Sequence, residues 1–117
     1  MAVQRFEDLI VWRKSQDFTV DIYRCSDAIT DRSFRDQLRR AALSISNNIA
    51  EGFGRRTNKD FIRFLYFSLG SASEVKSMAY LSVRLMYISV EIFDEIVRNL
   101  DEISKMLHAL IRSMMPK

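Results

Sequence analysis

Residues 37–52, QLRRAALSISNNIAEG, form two separate stripes when they are wound into a helix at about 100° per residue. One stripe is apolar and consists of Leu38, Ala41, Ala42, Ile45, Ile49 and, one turn further, Phe53. The other stripe is polar and consists of Gln37, Arg40, Ser44, Asn47, Asn48 and Glu51. A helix that only covers a core needs the apolar stripe alone, with a loosely specified face towards solvent. The ordered polar stripe therefore predicts a buried hydrogen-bond network or an interface.

A set of polar residues within this pattern forms what we call the polar seam. Its members are Gln37, Arg40, Ser44, Asn48 and Glu51, together with Glu74 further along the chain. We expect Glu51 to pair with Arg40 or with backbone groups near Gly54. Glu74 is expected to join the network from the neighbouring helix. Buried Asn and Glu side chains are usually retained for satisfied hydrogen bonds that fix packing.

Three more helical segments flank this one. Apolar residues recur at helical spacing over about residues 8–26, 58–86 and 90–114. The last segment has the clearest repeat, which is Ile92, Ile96, Leu100, Ile103, Leu107, Leu110 and Met114. Four helices of this length with short connections must lie antiparallel to their neighbours. We therefore expect one domain, residues 1–117, folded as an all-α, antiparallel up-down-up-down four-helix bundle.

Residues that cap helices mark the connections between these segments. The candidate N-terminal caps are Ser33, Thr57 and Ser89. Gly52 and Gly54 stand where a left-handed C-terminal cap is expected. Gly70 falls inside the third helix, where a glycine costs about 1 kcal/mol relative to alanine. Its small size predicts a close crossing with another helix.

The composition favours helices and a single domain. The 117 residues are 48% hydrophobic and include only three Gly and one Pro, which argues against a sheet with tight turns. A membrane-spanning helix needs an apolar run of about 18 residues, and the chain has none. The N-terminus also lacks the apolar segment of a signal peptide. We therefore expect a soluble, cytoplasmic protein that does not contact membranes.

Residue types that support catalysis are scarce. The chain has one Cys, Cys25, and one His, His108, so neither a disulfide nor a zinc or triad constellation can be built from them. The Glu-x-x-His spacing of di-iron bundles is absent at His108. The polar seam could form a small pocket, but its residue types are more often structural. We expect no enzymatic activity, no metal and no cofactor.

Positive charge is concentrated around the connection between the second and third helices. Between residues 39 and 63, six basic residues accompany two acidic ones, although the whole chain has a net charge of only +3. Four of these basic residues and the nearby potential stacking residue Tyr66 form what we call the basic patch: Arg55, Arg56, Lys59, Arg63 and Tyr66. Clustered cations bind phosphates without sequence preference. The patch is our candidate for nucleic-acid binding, and the alternative is a set of solvated charges at helix ends.

The first and third helices carry more apolar surface than one core needs. Each has a second apolar stripe beside the stripe that would face the bundle. Patches of this size usually mark an interface. The candidate interface residues are Phe18, Ile22, Phe67, Met78 and Leu85. We therefore expect the chain to form a homo-oligomer, with a wide core as the alternative.

Several short motifs lie in a fixed order along nearly the whole chain. They are Phe6-Glu7-Asp8-Leu9 with Val11-Trp12, residues 37–42, Ser44-Ile45, residues 48–52, residues 61–65, residues 70–74 and Tyr87-Ile88. Together they resemble the four-helix-bundle proteins encoded by intervening sequences of bacterial 23S ribosomal RNA genes. The segment from Ser44 to Gly52 is the most specific part, because amphipathicity alone does not dictate its polar residues.

The resemblance implies a left-turning four-helix bundle that assembles into a ring-like homopentamer. That family is similar in fold to the accessory variability proteins of diversity-generating retroelements, which are basic pentamers associated with a reverse transcriptase and nucleic acid. No enzymatic activity is established for the family. The sequence departs from the pattern of that family at the connection of residues 28–31, which lacks the Phe-Pro often found there. This difference affects the geometry of the loop.

Two kinds of function follow from these patterns. The first is a non-enzymatic oligomeric scaffold that binds RNA or another nucleic acid through the basic patch. The alternative is a protein–protein interaction module or assembly adaptor with no direct nucleic-acid binding, whose partner would be a nucleic-acid-processing protein. The same apolar surface could serve self-association or partner binding, so the sequence does not separate the two.

Overall fold

The structure, a computed structural model, describes residues 3–116. A short 3-10 turn, Phe6–Asp8, precedes four helices: α1 is Ile10–Ser26, α2 is Arg32–Phe53, α3 is Asn58–Arg84 and α4 is Val90–Met114. Helices α1 and α3 each pack against both α2 and α4, and do not contact each other. The bundle measures 46 × 22 × 20 Å. This arrangement confirms the all-α four-helix bundle expected from the sequence.

The core consists of the apolar stripes that the sequence indicates. Along α2, Ala42, Ile45 and Ile49 are fully buried, as the apolar stripe of residues 37–52 predicts. Along α4, the buried residues include Leu100 and Leu107. Burying a side chain of this size contributes about 1.5–3 kcal/mol, so these two stripes account for much of the stability. No helix among residues 3–116 is both long and apolar enough to cross a membrane.

Two of the three expected N-terminal caps are confirmed. The side chains of Thr57 and Ser89 accept hydrogen bonds from the backbone N–H groups of Asp60 and Ile92, each at 3.1 Å. The expected cap at Ser33 is wrong, because the cap and the start of α2 lie two residues earlier, and the Asp31 side chain accepts from the Phe34 N–H at 3.1 Å. The first helix also begins later than expected, since Leu9 is extended and separates the 3-10 turn from α1.

Glycines play different roles from those expected. Neither Gly52 nor Gly54 has a positive φ, and Gly54 is right-handed at φ −78°, so the expected left-handed cap is absent after α2. A Cβ at Gly52 would lie 2.6 Å from the Phe64 Cβ. Gly52 is therefore required for the close approach of α2 and α3. At Gly70 a Cβ would meet nothing within 4 Å, so the close crossing expected there does not occur within the protomer.

Candidate nucleic-acid and protein interface on helices α2 and α3

The polar seam joins α2 to α3 along their outward side. Gln37 Nε2 donates a hydrogen bond to Glu74 Oε2 at 2.7 Å, and Ser71 Oγ donates to Ser44 Oγ at 2.8 Å. Asn48 Nδ2 donates to the Ser44 carbonyl at 2.8 Å and to the Ser44 hydroxyl at 2.9 Å. The expectation that Glu74 joins the network from the neighbouring helix agrees with this geometry.

The seam lies at the surface of the protomer, which corrects the expectation of a buried network. Ser44 and Asn48 are half-buried, whereas Arg40 and Glu51 are exposed. Glu51 pairs with Arg55 at 2.9 Å and not with Arg40. The reason is helical geometry, because Arg55 is one turn from Glu51 and Arg40 is about 16 Å away along the axis. Arg40 has no ion pair among the residues that the structure describes.

The truly buried polar contacts involve other residues, which the sequence patterns did not single out. Ser68 Oγ donates to the Ile45 carbonyl at 2.8 Å, and Thr19 Oγ1 shares its proton between the Ser15 carbonyl at 2.9 Å and the Ala42 carbonyl at 3.2 Å. Both hydroxyls lie within apolar stripes, where they tie α3 and α1 to the backbone of α2. Small hydroxyl residues on a predicted core face are the signal that could have identified them.

The basic patch is exposed at the turn between α2 and α3, as its position in the sequence indicates. Its four cations differ in whether a nearby carboxylate pairs with them. Arg55 pairs with Glu51 at 2.9 Å, and Arg63 lies 3.8 Å from Asp60. Arg56 and Lys59 are exposed and have no acidic partner within residues 3–116. The field of the patch is therefore weaker than a count of its four cations indicates.

Aromatic rings lie directly under the arginines of the basic patch. The Arg55 guanidinium is 4.5 Å from the centre of the Phe64 ring, and Arg63 lies 5.3 Å from Phe64 and 5.5 Å from Phe67. Such cation–π contacts hold a guanidinium plane against a ring. Tyr66 is 51% exposed, which leaves its ring open to solvent. The role of Phe64 was not predicted, because phenylalanines at helical spacing are usually core residues.

The expected interface residues divide into two groups. Phe67 and Leu85 are 46% and 45% exposed, and Met78 is half-buried against the core. Phe18 and Ile22 are 2% and 0% exposed, so their assignment to an interface is wrong. They belong to the core because their stripe on α1 faces the bundle interior. An additional exposed residue on α3 is Leu81, at 43%.

A cleft of about 420 Å³ lies between α1 and α4 and includes Cys25 in its lining. Burial raises the pKa of the Cys25 thiol, and the carboxylate of Asp21 raises the pKa further. The thiol is therefore protonated and weakly nucleophilic at neutral pH. Among residues 3–116, no group of three or more His, Cys, Asp or Glu side chains is placed to hold a metal ion.

The fold and this surface define a small helical-bundle protein with a basic, aromatic-lined turn. The chain belongs to the family of 23S rRNA-intervening sequence proteins, whose model matches residues 7–109. A similar solved structure is a protein of unknown function from the S23 ribosomal protein family of Bacteroides thetaiotaomicron. It is 29% identical, with a TM-score of 0.82, and the match covers 88% of this chain and 96% of that chain. No curated protein matches.

Proposed function

We propose that this protein is a non-enzymatic, self-associating scaffold that binds RNA through its basic patch. The observation that carries the proposal is the combination of exposed cations and exposed aromatic rings at one turn. Arg56 and Lys59 are available to phosphates, and Tyr66 offers an open ring to a base. The family that matches this chain is that of the 23S rRNA-intervening sequence proteins. Structured ribosomal RNA is therefore the first ligand to test.

The stacked arginines support the same function. Because Phe64 lies beneath Arg55 and also within reach of Arg63, each guanidinium loses less side-chain entropy when it meets a phosphate. The acidic neighbours Glu51 and Asp60 compete with phosphate for these two arginines. We therefore expect modest affinity per protomer and a salt dependence that reflects fewer than four phosphate contacts.

The experiment is a fluorescence-anisotropy titration of the protein with a structured RNA at two salt concentrations. Reversing Arg56 and Lys59 to Glu should weaken binding at least tenfold and flatten the dependence of log affinity on log salt. A matched control reverses Arg98 and Lys105, which are exposed on α4, and should retain the parental slope. Equal losses in both variants would indicate only a general response to net charge. Absence of binding by the parent protein would refute the proposal.

A second candidate is an adaptor that binds a nucleic-acid-processing protein and no nucleic acid. The exposed apolar side chains of Phe67 and Leu81 on α3 and of Leu85 directly after it favour this function, because exposed apolar patches usually mark protein contacts. The same titration distinguishes the two functions. A parent protein that associates with itself but never binds RNA, at low or high salt, would favour the adaptor.

A further inference from the structure

A cleft of about 600 Å³ lies at one end of the bundle, beside the basic patch. We call it the end cleft. It is bounded by the connection between α2 and α3, by the C-terminal end of α4 and by Leu9, the residue before α1. Sites that bind small molecules and cofactors usually have volumes of about 300–1,000 Å³. The end cleft is therefore large enough for a ligand of that class.

The buried and half-buried part of the cleft lining is entirely apolar. It consists of Leu9, Phe53, Phe61, Leu110 and Met114. The rings of Phe53 and Phe61 meet edge to face, with their centres 5.8 Å apart. Aromatic side chains pack well against the flat face of a nucleobase, whichever base it is. The inner part of the end cleft is therefore suited to a planar, weakly polar group.

The exposed part of the lining is mainly polar and positively charged. Arg55 and Arg56 supply the charge, and within residues 3–116 no carboxylate lines the end cleft. Arg55 is already paired with a carboxylate at 2.9 Å. Arg56 has no ion pair in the described part of the chain, so its guanidinium is available to an anion. The lining thus matches a ligand with a planar body and a negatively charged group at its edge.

We propose that the end cleft binds the base of an unpaired RNA nucleotide and that Arg56 pairs with the phosphate of this nucleotide. The proposal rests on the proposed RNA binding and adds which part of the RNA is recognised. A base within a duplex is paired and stacked, so it must leave the double helix before it can enter a cleft. An unpaired base in a bulge or a loop is already accessible. The protein therefore prefers RNA with an unpaired nucleotide over a continuous duplex.

Arg56 connects the end cleft to the remainder of the basic patch. It belongs to both, and the exposed Lys59 follows three residues later, in the first turn of α3. An RNA strand that places one base in the end cleft therefore passes exposed cations on its way out. The patch supplies attraction to any RNA, while the end cleft supplies the preference for an unpaired nucleotide.

The first test compares two RNAs by fluorescence anisotropy: a hairpin with a single bulged uridine and the same hairpin without the bulge. The parent protein should bind the bulged RNA at least tenfold more tightly. Ser113→Trp should bind the two RNAs with equal affinity, because the exposed Ser113 lines the end cleft and an indole there occupies it. His108→Trp is the matched control, since His108 is exposed on the same helix and lies outside the cleft lining. This control should keep the parental preference, and circular dichroism should show the same helical content in both variants.

The second test places the base directly and needs no variant. A bulged 4-thiouridine is irradiated in complex with the parent protein, and the cross-linked residue is identified by mass spectrometry. We expect the cross-link at Phe53, Phe61 or Met114. A cross-link at Tyr66 or Phe67 would place the base on the outer surface of α3 and would refute the inference.

Three further outcomes separate this inference from the proposed function. Equal affinity of the parent protein for both RNAs, or a preference that survives in Ser113→Trp, would refute the inference and leave RNA binding in place. A fatty acid that native mass spectrometry detects in the parent but not in Ser113→Trp, without any preference for the bulge, would assign the end cleft to a different ligand and also refute it. A parent protein that binds neither RNA would refute the proposed function itself.

Discussion

Gly52 fixes the distance between α2 and α3. Its missing side chain leaves space for Phe61 and Phe64, whose Cδ1 and Cβ atoms would lie 2.9 Å and 2.6 Å from an added Cβ. Contacts this short cannot be relieved by rotating a distant group, since the Phe64 Cβ is attached to the backbone of α3. The sequence places Gly52 at a helix end and therefore indicates a cap, whereas the glycine serves packing.

We predict that Gly52→Ala lowers the free energy of unfolding by about 1–3 kcal/mol, because overpacking outweighs the gain in helix propensity. Gly70→Ala is the matched control, since it lies in mid-helix with open space around it. It should raise the free energy of unfolding by about 0.5–1 kcal/mol. Urea unfolding at low protein concentration measures both. A Gly52→Ala variant as stable as the parent would show that α2 and α3 separate easily.

The helical spacing of side chains predicts which residues form the polar seam, but it does not predict how deeply these residues are buried. Periodicity assigns Ser44, Asn48 and Glu51 to one side of α2, which is correct. It cannot say which neighbouring helix covers that side, because this depends on how the four helices are ordered around the core. For the same reason the apolar stripes of α1 indicate an interface at Phe18 and Ile22, although both residues are buried. The burial of the seam residues and of Phe18 and Ile22 is decided by the packing between helices and not by the local sequence pattern.

At the scale of elements, the end of α3 is the least expected feature. Met86 has a φ of 61° and is 89% exposed. The N–H of Met86 donates to the Val83 carbonyl at 3.0 Å, and the N–H of Tyr87 donates to the Ser82 carbonyl at 2.8 Å. This pair of bonds is the Schellman motif, in which glycine usually occupies the left-handed position. The sequence offers no glycine there, so no pattern predicted the motif.

Replacing Met86 with Gly should raise the free energy of unfolding by about 0.5–1 kcal/mol, because glycine adopts a positive φ without steric cost. Met86→Ala should give no such gain, since alanine keeps a Cβ in the left-handed conformation. The exposed methionine side chain contributes little packing, so its removal costs little. Thermal unfolding of the two variants side by side is the measurement. A larger gain from alanine than from glycine would contradict the assigned conformation.

The connections at this end of the bundle are joined by a pH-sensitive hydrogen bond. Tyr87 Oη donates to Asp31 Oδ2 at 2.9 Å, which links the segment before α4 to the N-terminal cap of α2. This bond to Asp31 raises the pKa of Tyr87 above its usual value of 10. Since the folded-state pKa is the higher one, the stabilisation is fully present below pH 10 and is lost as the pH rises through the folded-state pKa.

We predict that Tyr87→Phe unfolds at a lower temperature than the parent at pH 7. The difference should shrink as the pH rises above 10, because the parent then loses the same hydrogen bond. Tyr80→Phe is the control, since Tyr80 is 57% exposed and stacks edge-on against Phe93 without an acidic partner. Its melting temperature should differ from that of the parent by the same amount at both pH values. A difference for Tyr87→Phe that stays constant with pH would exclude this bond as its cause.

At the scale of the whole molecule, the strength of the proposed RNA binding depends on the proposed self-association. The basic patch of one protomer is weak, because Glu51 and Asp60 each pair with one of its arginines. An assembly that repeats the patch would bind one long RNA at several points. Once one patch has bound, binding at the next patch is intramolecular. The overall affinity therefore rises although each patch makes the same contacts. The residues that build the assembly need not touch RNA for this effect.

The final prediction uses Leu81→Asp, which places a charge among the exposed apolar side chains of α3 and leaves all five residues of the basic patch unchanged. If assembly multiplies the patch, this variant should bind a long structured RNA at least tenfold more weakly than the parent does. Its affinity for a short RNA that covers one patch should stay the same, because only the number of linked sites differs. Val90→Asp is the matched control, because Val90 is 55% exposed and lies at the start of α4. This control should match the parent for both RNAs, which excludes an effect of added negative charge. Equal weakening for the short and the long RNA would mean that Leu81 affects the patch directly. Equal affinity of the variant and the parent for the long RNA would mean that a single protomer supplies all the binding.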